Sequence, residues 1–210
     1  MYRLLAVLSG FLALCLFSTP ALALDGSASH LKDEVSRVRS MTAVFEQTVT
    51  DEDGLVMEKY QGDLKLNTAS RSFRMETARP EASLLNCDGK NIYYYEPALE
   101  QVTIYDITKI DRSSPFWIVL TGSDDDYKRF TITEEQSGTE KIFHMIPRES
   151  SGGASYDIVF DSEGLSQVVM KDAGGQVINY RLSERHFMQT LGSVEFVFTV
   201  PSGATVDDQR

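Results

Sequence analysis

Beyond its first 40 residues the chain repeats one pattern: short segments of alternating apolar and polar residues, separated by turns rich in glycine, serine and aspartate. Alternation with a period of two places successive side chains on opposite faces, which is typical of half-buried β-strands. The regular spacing predicts one antiparallel sheet or barrel of about 11 strands. The candidate strands are residues 41–50, 55–66, 71–77, 82–87, two runs within 88–105, and residues 127–133, 141–146, 156–160, 165–171, 176–182 and 194–200.

The segment from Asp88 to Tyr105 limits how this sheet is covered. Asp88-Gly89 predicts a hairpin turn, and the strand that follows contains three consecutive tyrosines, Tyr93 to Tyr95. Three adjacent rings must lie on both faces of one strand, although a solvent-facing side would normally be polar. The sheet is therefore predicted either to be covered on both sides or to wrap around something apolar.

Two segments follow a helical pattern instead. In residues 27–39, Leu31, Val35 and Val38 recur on one face of a helix, and we expect that face to pack on the sheet. A proline begins the second helix, residues 115–121, which is apolar on nearly all sides. A short apolar helix of this kind needs cover on more than one side.

Residues 1–23 have the three parts of a secretory signal peptide. Arg3 precedes an apolar run too short to span a membrane comfortably, and an Ala-Leu-Ala cleavage signal follows at residues 21–23. Cys15 suggests a lipoprotein signal, but a leucine precedes it where such signals need a small residue. We therefore expect cleavage after this signal and a single mature domain, residues 24–210.

The charge of the chain excludes several classes of partner. The formal net charge is −11, and cleavage would make it more negative by removing Arg3. Nucleic acids and anionic membrane surfaces select an excess of lysine and arginine, so neither is expected as a partner. Cys87 would be the one cysteine left, which excludes an intramolecular disulfide, and we interpret it as a small buried apolar residue.

The sequence offers no motif for catalysis or metal binding. His30, His144 and His186 all stand outside H-E-x-x-H and G-x-S-x-G patterns, so no nucleophile is paired with a base. The acidic run at residues 124–126 lacks the alternating spacing of a calcium loop, and we expect a solvated loop there. We predict no enzymatic activity, no cofactor and no metal.

The aromatic content leaves two interpretations open. The 11 phenylalanines and nine tyrosines could form an ordinary β-sheet core. Alternatively, a large sheet that curls without closing leaves an apolar concave face, and the two short helices could cover it. A dry interior under small movable elements is typical of a pocket for an apolar ligand.

Several short motifs occur along the predicted mature chain in a fixed order and spacing. They are Phe45-x-Gln47, Gly62-Asp63-Leu64, Phe73-Arg74, Asp88-Gly89-Lys90, Tyr95-x-Pro97, Glu100-Gln101-Val102, Pro115-Phe116 and Phe196-x-Phe198-x-x-Pro201-x-Gly203-x-x-Val206. With these motifs the chain resembles the periplasmic outer-membrane lipoprotein carrier proteins, the LolA family, over essentially its whole mature length. The cleavable N-terminus favours the carrier over its receptor relative, which is itself a lipoprotein.

This resemblance implies an incomplete (half) antiparallel β-barrel with a helical lid over an apolar cavity. It also implies a non-enzymatic chaperone that works as a monomer in the periplasm of a Gram-negative bacterium. Such a carrier takes acylated lipoproteins from an inner-membrane ABC-type releasing complex, holds their acyl chains, and delivers them to an outer-membrane lipoprotein receptor.

Strand alternation and the matched positions together predict the lipid-binding residues. We expect contacts from the sheet residues Phe45, Val49, Phe73, Met75 and Leu85 and from the lid residues Leu31, Val35, Phe116 and Val119. The family commonly has an Arg-Pro pair before the phenylalanine of the third strand, and its arginine holds the lid closed. Residues 67–73 lack that pair here, so Arg71 is the nearest candidate for the latch.

Two other hypotheses have less support. A related half-barrel module that senses lipid or lipoprotein and regulates a partner would be favoured by a membrane tether or a second domain, and neither is predicted. An exported hydrolase would need the nucleophile and base that the motifs do not supply.

Overall fold

The computed structural model describes residues 25–109, 112, 114–149, 153–188 and 191–210, and the predicted signal peptide lies outside these ranges. The α-helices within them are α1 (Gly26–Arg37), α2 (Pro115–Thr121) and α3 (Asp124–Tyr127), and the 3₁₀ helices are Pro97–Leu99, Ile107–Lys109 and Ser193–Phe196. None of these helices is long and apolar enough to cross a membrane.

The described strands form a single open sheet of 12 strands. They are β1 (Ser40–Thr50), β2 (Val56–Asn67), β3 (Ser72–Arg79), β4 (Ser83–Cys87), β5 (Asn91–Glu96), β6 (Gln101–Asp106), β7 (Phe130–Ser137), β8 (Glu140–Pro147), β9 (Ser155–Asp161), β10 (Gly164–Lys171), β11 (Val177–Met188) and β12 (Thr205–Asp208). Their order is β12-β6-β5-β4-β3-β2-β1-β11-β10-β9-β8-β7, so β1 and β11 are central. Neighbouring strands are antiparallel, except that β12 runs parallel to β6.

The predicted fold class is confirmed, with two local corrections. The segment 194–200 is not a strand: it begins as the 3₁₀ helix Ser193–Phe196 and continues as irregular chain. The final strand is β12 instead. Residues 124–126 are not a solvated loop either, because they form the first turn of α3 and Asp126 is buried.

Helix α1 packs on the sheet through the face that the sequence predicts. Asp25 caps its N-terminus, where the side chain accepts a hydrogen bond from the backbone N–H of Ala28 at 2.8 Å. Leu31 and Val35 are buried, and the helix contacts β7 and β10. Val38 ends the helix and is buried as well, so the whole apolar stripe lies in the core.

The three consecutive tyrosines show that the sheet is covered on both faces. Tyr94 lines a cavity on the inner face. The rings of Tyr93 and Tyr95 lie on the other face, where both contact Phe198 with centroids 5.2 and 6.2 Å away. Phe196 is buried beside them, and its carbonyl accepts a hydrogen bond from Asn86 Nδ2 at 2.9 Å. The C-terminal segment therefore covers the outer face, which explains aromatic residues on both sides of β5.

A glycine lets β3 and a core ring approach β2 closely. A Cβ atom on Gly62 would lie 1.9 Å from the carbonyl oxygen of Glu76 and 2.9 Å from Cε1 of Phe45. The register between β2 and β3 shifts at the same position. Phe45 is fully buried there, so Gly62 determines how the central strands pack around this ring.

Cys87 is a buried core residue, as the sequence indicates. Its side chain is 0% exposed, and its thiol donates a 3.4 Å hydrogen bond to the carbonyl of Arg71. Burial raises the pKa of the Cys87 thiol to about 11, so the reactive thiolate is scarce near neutral pH.

Candidate ligand-binding cavity

A cavity of about 760 Å³ lies between the inner face of the sheet and helix α2. Its size is within the range typical of small-molecule and cofactor sites. Two smaller pockets of about 380 and 390 Å³ lie among mainly polar side chains. The lining residues are Met41, Phe45, Gln47, Val49, Glu58, Tyr60, Leu64, Leu66, Phe73, Met75, Ser83, Leu85, Ile92, Tyr94, Ser114, Phe116, Trp117, Val119, Leu120, Leu165, Val168, Gln176, Ile178, Tyr180 and Leu182.

One end of the cavity is apolar and shielded from solvent. Met41 of β1 faces Leu66 of β2 in register, and Leu66 in turn faces Phe73 of β3. Met41, Leu66 and Ile92 are buried, and the buried Leu182 of β11, the register partner of Phe45, also lines the cavity. We call this region the deep end.

The opposite end is more polar and more exposed. Here Gln47 faces Tyr60, and Val49 faces Glu58, across the β1–β2 pair. Glu58 is exposed while Tyr60 is half-buried, and the Tyr60 hydroxyl donates a 2.5 Å hydrogen bond to a carboxylate oxygen of Glu58. We call this region the mouth. The cavity therefore becomes more polar along the strand direction, although Val49 and Ile178 also line this end.

Helix α2 forms a lid over the sheet. Pro115 occupies its first turn and Gly122 ends it in the left-handed conformation at φ 55°, which glycine adopts without strain. Phe116 contacts Tyr180 of β11 edge-on, with ring centroids 5.0 Å apart and an interplanar angle of 86°. Val119 and Leu120 also face the cavity, which gives the helix an apolar inner surface.

A buried carboxylate anchors the lid to the element that follows it. One oxygen of Asp126 accepts hydrogen bonds from Trp117 Nε1 at 3.0 Å, Thr121 Oγ1 at 3.2 Å and Ser123 Oγ. The other oxygen accepts from Arg112 Nε at 2.9 Å and from its terminal nitrogen at 2.5 Å. Burial opposes ionisation, but these donors outweigh it and hold the pKa of Asp126 below its usual value. The carboxylate thus ties both ends of α2 to the start of α3.

The structure brings most of the predicted lipid-binding residues together. Seven of the nine line the cavity: Phe45, Val49, Phe73, Met75, Leu85, Phe116 and Val119. Leu31 and Val35 do not line it, because they pack α1 into the core. Arg71 lies at the exposed β2–β3 turn with φ 53°, and its side chain makes no hydrogen bond or ion pair within the described ranges. Ligand contact by these residues, and the latch role of Arg71, stay predictions.

Sequence reasoning missed the polar members of the wall. The strands that carry Gln47, Tyr60 and Tyr180 have a clear alternating pattern, and these three residues occupy inward positions in it. Counting every second residue along each strand would therefore have identified them. Trp117 was also missed, although it lies within the predicted lid helix. In the part of the chain that the structure describes, no group of His, Cys, Asp and Glu side chains is arranged to hold a metal ion.

An open sheet that covers a lidded apolar cavity defines a half-barrel protein with an internal cavity. The sequence profile of the family described as "Outer membrane lipoprotein carrier protein LolA" matches residues 36–199. The chain belongs to this family.

Relatives of known name agree with this assignment. The outer-membrane lipoprotein carrier protein of Aeromonas salmonicida is 34% identical over 187 residues, which are 88% of this chain and 90% of that protein. The protein of the same name from Serratia proteamaculans is 31% identical over 97% of this chain and 95% of its own length. A crystal structure of an uncharacterized conserved protein from Thermus thermophilus has a TM-score of 0.57 and 16% identity, over 87% of this chain and 99% of that one, and shows the shared fold.

Proposed function

We propose that this protein is a periplasmic lipoprotein carrier that encloses the acyl chains of its cargo in the central cavity. The observation that supports this most strongly is the deep end, where buried aliphatic and aromatic side chains from the sheet meet the apolar inner surface of α2. Family membership points to the same function, since the related proteins of known name are outer-membrane lipoprotein carriers.

The physical need for such a carrier follows from the hydrophobic effect. Each acyl CH₂ group removed from water is worth about 0.8 kcal/mol, so an acylated protein crosses an aqueous compartment only with its chains shielded. A cavity wall that includes Met41 and Met75 adapts to chains of different shape, because the methionine side chain is flexible. Such a wall binds acyl chains without matching the shape of any one chain closely. The chains can therefore be released to the next acceptor.

The remaining parts of the proposal concern compartment and partners. The predicted signal peptide at residues 1–23 supports export of a single mature domain, residues 24–210. An inner-membrane ABC-type complex would supply the energy for loading, and an outer-membrane receptor would take the cargo. The carrier itself would act as a monomer and without enzymatic chemistry.

Removal of detergent from a mixture of mature protein and a triacylated lipoprotein tests this function. We expect a soluble one-to-one complex by gel filtration, which is absent when the lipoprotein is not acylated. The variant Phe73→Glu should fold but leave the lipoprotein aggregated, because it places a charge in the apolar wall, whereas Thr131→Glu, at an exposed strand position, should behave like the wild type. Aggregated lipoprotein beside folded, empty wild-type protein would contradict the proposal and favour a sensing module.

A further inference from the structure

Three polar side chains form a row across the floor of the cavity. Gln47 of β1 is the register partner of Tyr60 on β2 and of Tyr180 on β11. All three side chains line the cavity. Side chains that lie directly opposite each other on adjacent strands are close enough to act on one group. We call Tyr60, Gln47 and Tyr180 the polar row.

The polar row has hydrogen-bonding capacity that the protein does not use. Within the described ranges, neither the side-chain amide of Gln47 nor the hydroxyl of Tyr180 makes a hydrogen bond to another residue. The Tyr60 hydroxyl donates its proton to Glu58, so its oxygen is left as an acceptor. The polar atoms of Gln47 and Tyr180 are not fully buried. They can therefore exchange water for a ligand in the cavity that both side chains line. The row therefore offers the amide N–H groups and carbonyl of Gln47, the hydroxyl of Tyr180 and an acceptor on the Tyr60 oxygen.

The donor at one end of the row is held in place. The ring of Tyr180 lies between Phe116 of the lid, at 5.0 Å, and Phe45 of β1, at 6.4 Å between centroids. Burial raises the pKa of the Tyr180 hydroxyl to about 12, so it stays a proton donor at physiological pH. A closed lid thus fixes a neutral donor at the cavity floor.

The row lies where the cavity wall becomes more polar. On one side lie Phe45 and the buried residues of the deep end. On the other side the exposed Glu58 and Gln176 line the mouth together with the apolar Val49 and Ile178. An acylated N-terminal cysteine has the same order of chemistry: hydrocarbon chains, then ester and amide groups, then a solvated peptide.

We propose that the polar row is a subsite for the ester and amide groups that join the acyl chains of a cargo lipoprotein to its peptide. Gln47 and Tyr180 donate to ester carbonyls, and Tyr60 accepts from the amide N–H of the acylated amino group. This inference rests on the proposed carrier function. It adds an orientation: acyl chains point to the deep end, and the peptide leaves at the mouth beside Glu58.

Two synthetic probes test the subsite. One is a triacylated cysteinyl peptide with its two natural ester linkages, and the other is the same peptide with both esters replaced by ethers, which removes the carbonyl acceptors. Binding is followed by the emission of Trp117, the single tryptophan of the chain, which lines the cavity. We expect the wild type to bind the ester probe at least about fivefold more tightly, as the gain from one or two hydrogen bonds requires.

Conservative variants distinguish hydrogen bonding by the polar row from a general effect on the packing of the cavity wall. Gln47→Leu and Tyr180→Phe should each weaken the ester probe about fivefold and leave the ether probe unchanged, because both replacements keep the side-chain volume. Gln61→Leu, which is exposed on β2, and Tyr95→Phe, which lies on the outer face, serve as matched controls and should bind both probes like the wild type.

The outcomes distinguish the subsite from the carrier function itself. Equal affinity of the wild type for both probes, or equal losses for both probes in the variants, would overturn the subsite and leave the carrier function standing. Failure of the wild type to bind either probe would overturn both. An ester preference that the row variants abolish and the control variants retain would establish the subsite.

Discussion

Phe116 on the lid helix and Tyr180 on the central strand β11 form an edge-to-face pair with centroids 5.0 Å apart. This is a direct contact between the lid and the floor of the cavity. Phe116 is 36% exposed whereas Tyr180 is half-buried, so the contact runs from the solvent-facing side of the lid into the cavity. We infer that the contact helps to hold α2 closed over a bound chain.

Replacement of the lid ring should speed ligand exchange. Phe116→Ala removes an aromatic pair worth about 1 kcal/mol, so we expect a bound acylated peptide to dissociate about fivefold faster. Stopped-flow emission of Trp117 measures this rate. Phe187→Ala removes a phenylalanine of similar exposure, 37%, that does not line the cavity, and should leave the rate unchanged. Equal rates for Phe116→Ala and the wild type would show that this contact does not restrain the lid.

The buried carboxylate behind the lid should matter for stability. Asp126→Asn removes the charge that strengthens hydrogen bonds from Arg112, Trp117 and Ser123, and we expect a loss of about 2 to 3 kcal/mol in the free energy of unfolding by urea. The matched variant Asp125→Asn alters an exposed carboxylate paired with Lys128 and should cost less than about 0.5 kcal/mol. Similar losses in the two variants would contradict the anchoring role of Asp126.

Gly62 should not tolerate even one extra methyl group. A Cβ atom there would lie 1.9 Å from a backbone oxygen of β3, and a backbone cannot move aside as a flexible side chain can. We expect Gly62→Ala to destabilise the fold by more than about 2 kcal/mol in urea unfolding. Gly26→Ala, where nothing lies within 4 Å of the added atom, is the control and should be nearly neutral. A nearly neutral Gly62→Ala would refute the close approach.

The stability contributed by His144 should depend on pH. Burial opposes its protonation, but the carboxylates of Asp157, at 2.7 Å, and Glu135, at 3.2 Å, raise the pKa of the imidazole above its usual value. Because the pKa of His144 is higher in the folded state than in the unfolded state, protonation stabilises the fold. This stabilisation is fully present at pH values below the unfolded-state pKa of about 6.5, and it is lost as the pH rises through the folded-state pKa.

The variant His144→Gln tests this dependence. The wild type should exceed the variant in free energy of unfolding by more at pH 5.5 than at pH 9, because only the protonated imidazole gains from the two carboxylates. A difference that is the same at both pH values, or larger at pH 9, would rule out the ion pairs as its source.

The strands could be predicted because their inner and outer faces differ in polarity. Strand β12 could not, since its four residues have no apolar alternation and it is held by parallel pairing with β6. At Phe196 and Phe198 the sequence wrongly predicts a strand, because apolar residues alternate there. In the structure Phe198 instead covers Tyr93 and Tyr95 on the outer face of the sheet. Alternation reports which residues are buried and not whether their backbone joins the sheet.

The cavity could be predicted only in part for a similar reason. Leu31 and Val35 form an apolar stripe that looks the same in sequence whether it faces a ligand or a packed sheet, and the structure places it in the core. Asp126 stands in an acidic run that is typical of solvent-exposed turns. Its burial depends on Trp117 and Arg112, and only the tertiary structure brings the carboxylate into contact with them.

The most direct test of the account asks where a bound acyl chain lies. A triacylated lipoprotein with a photoreactive group midway along one chain would be loaded by detergent removal, irradiated, and mapped by mass spectrometry. We predict cross-links to deep-end residues such as Leu66, Phe73 and Met75, which excess unlabelled triacylated peptide suppresses. Cross-links that fall instead on outer-face residues such as Glu46 and Thr48, or that the unlabelled peptide does not reduce, would contradict a cavity that encloses acyl chains.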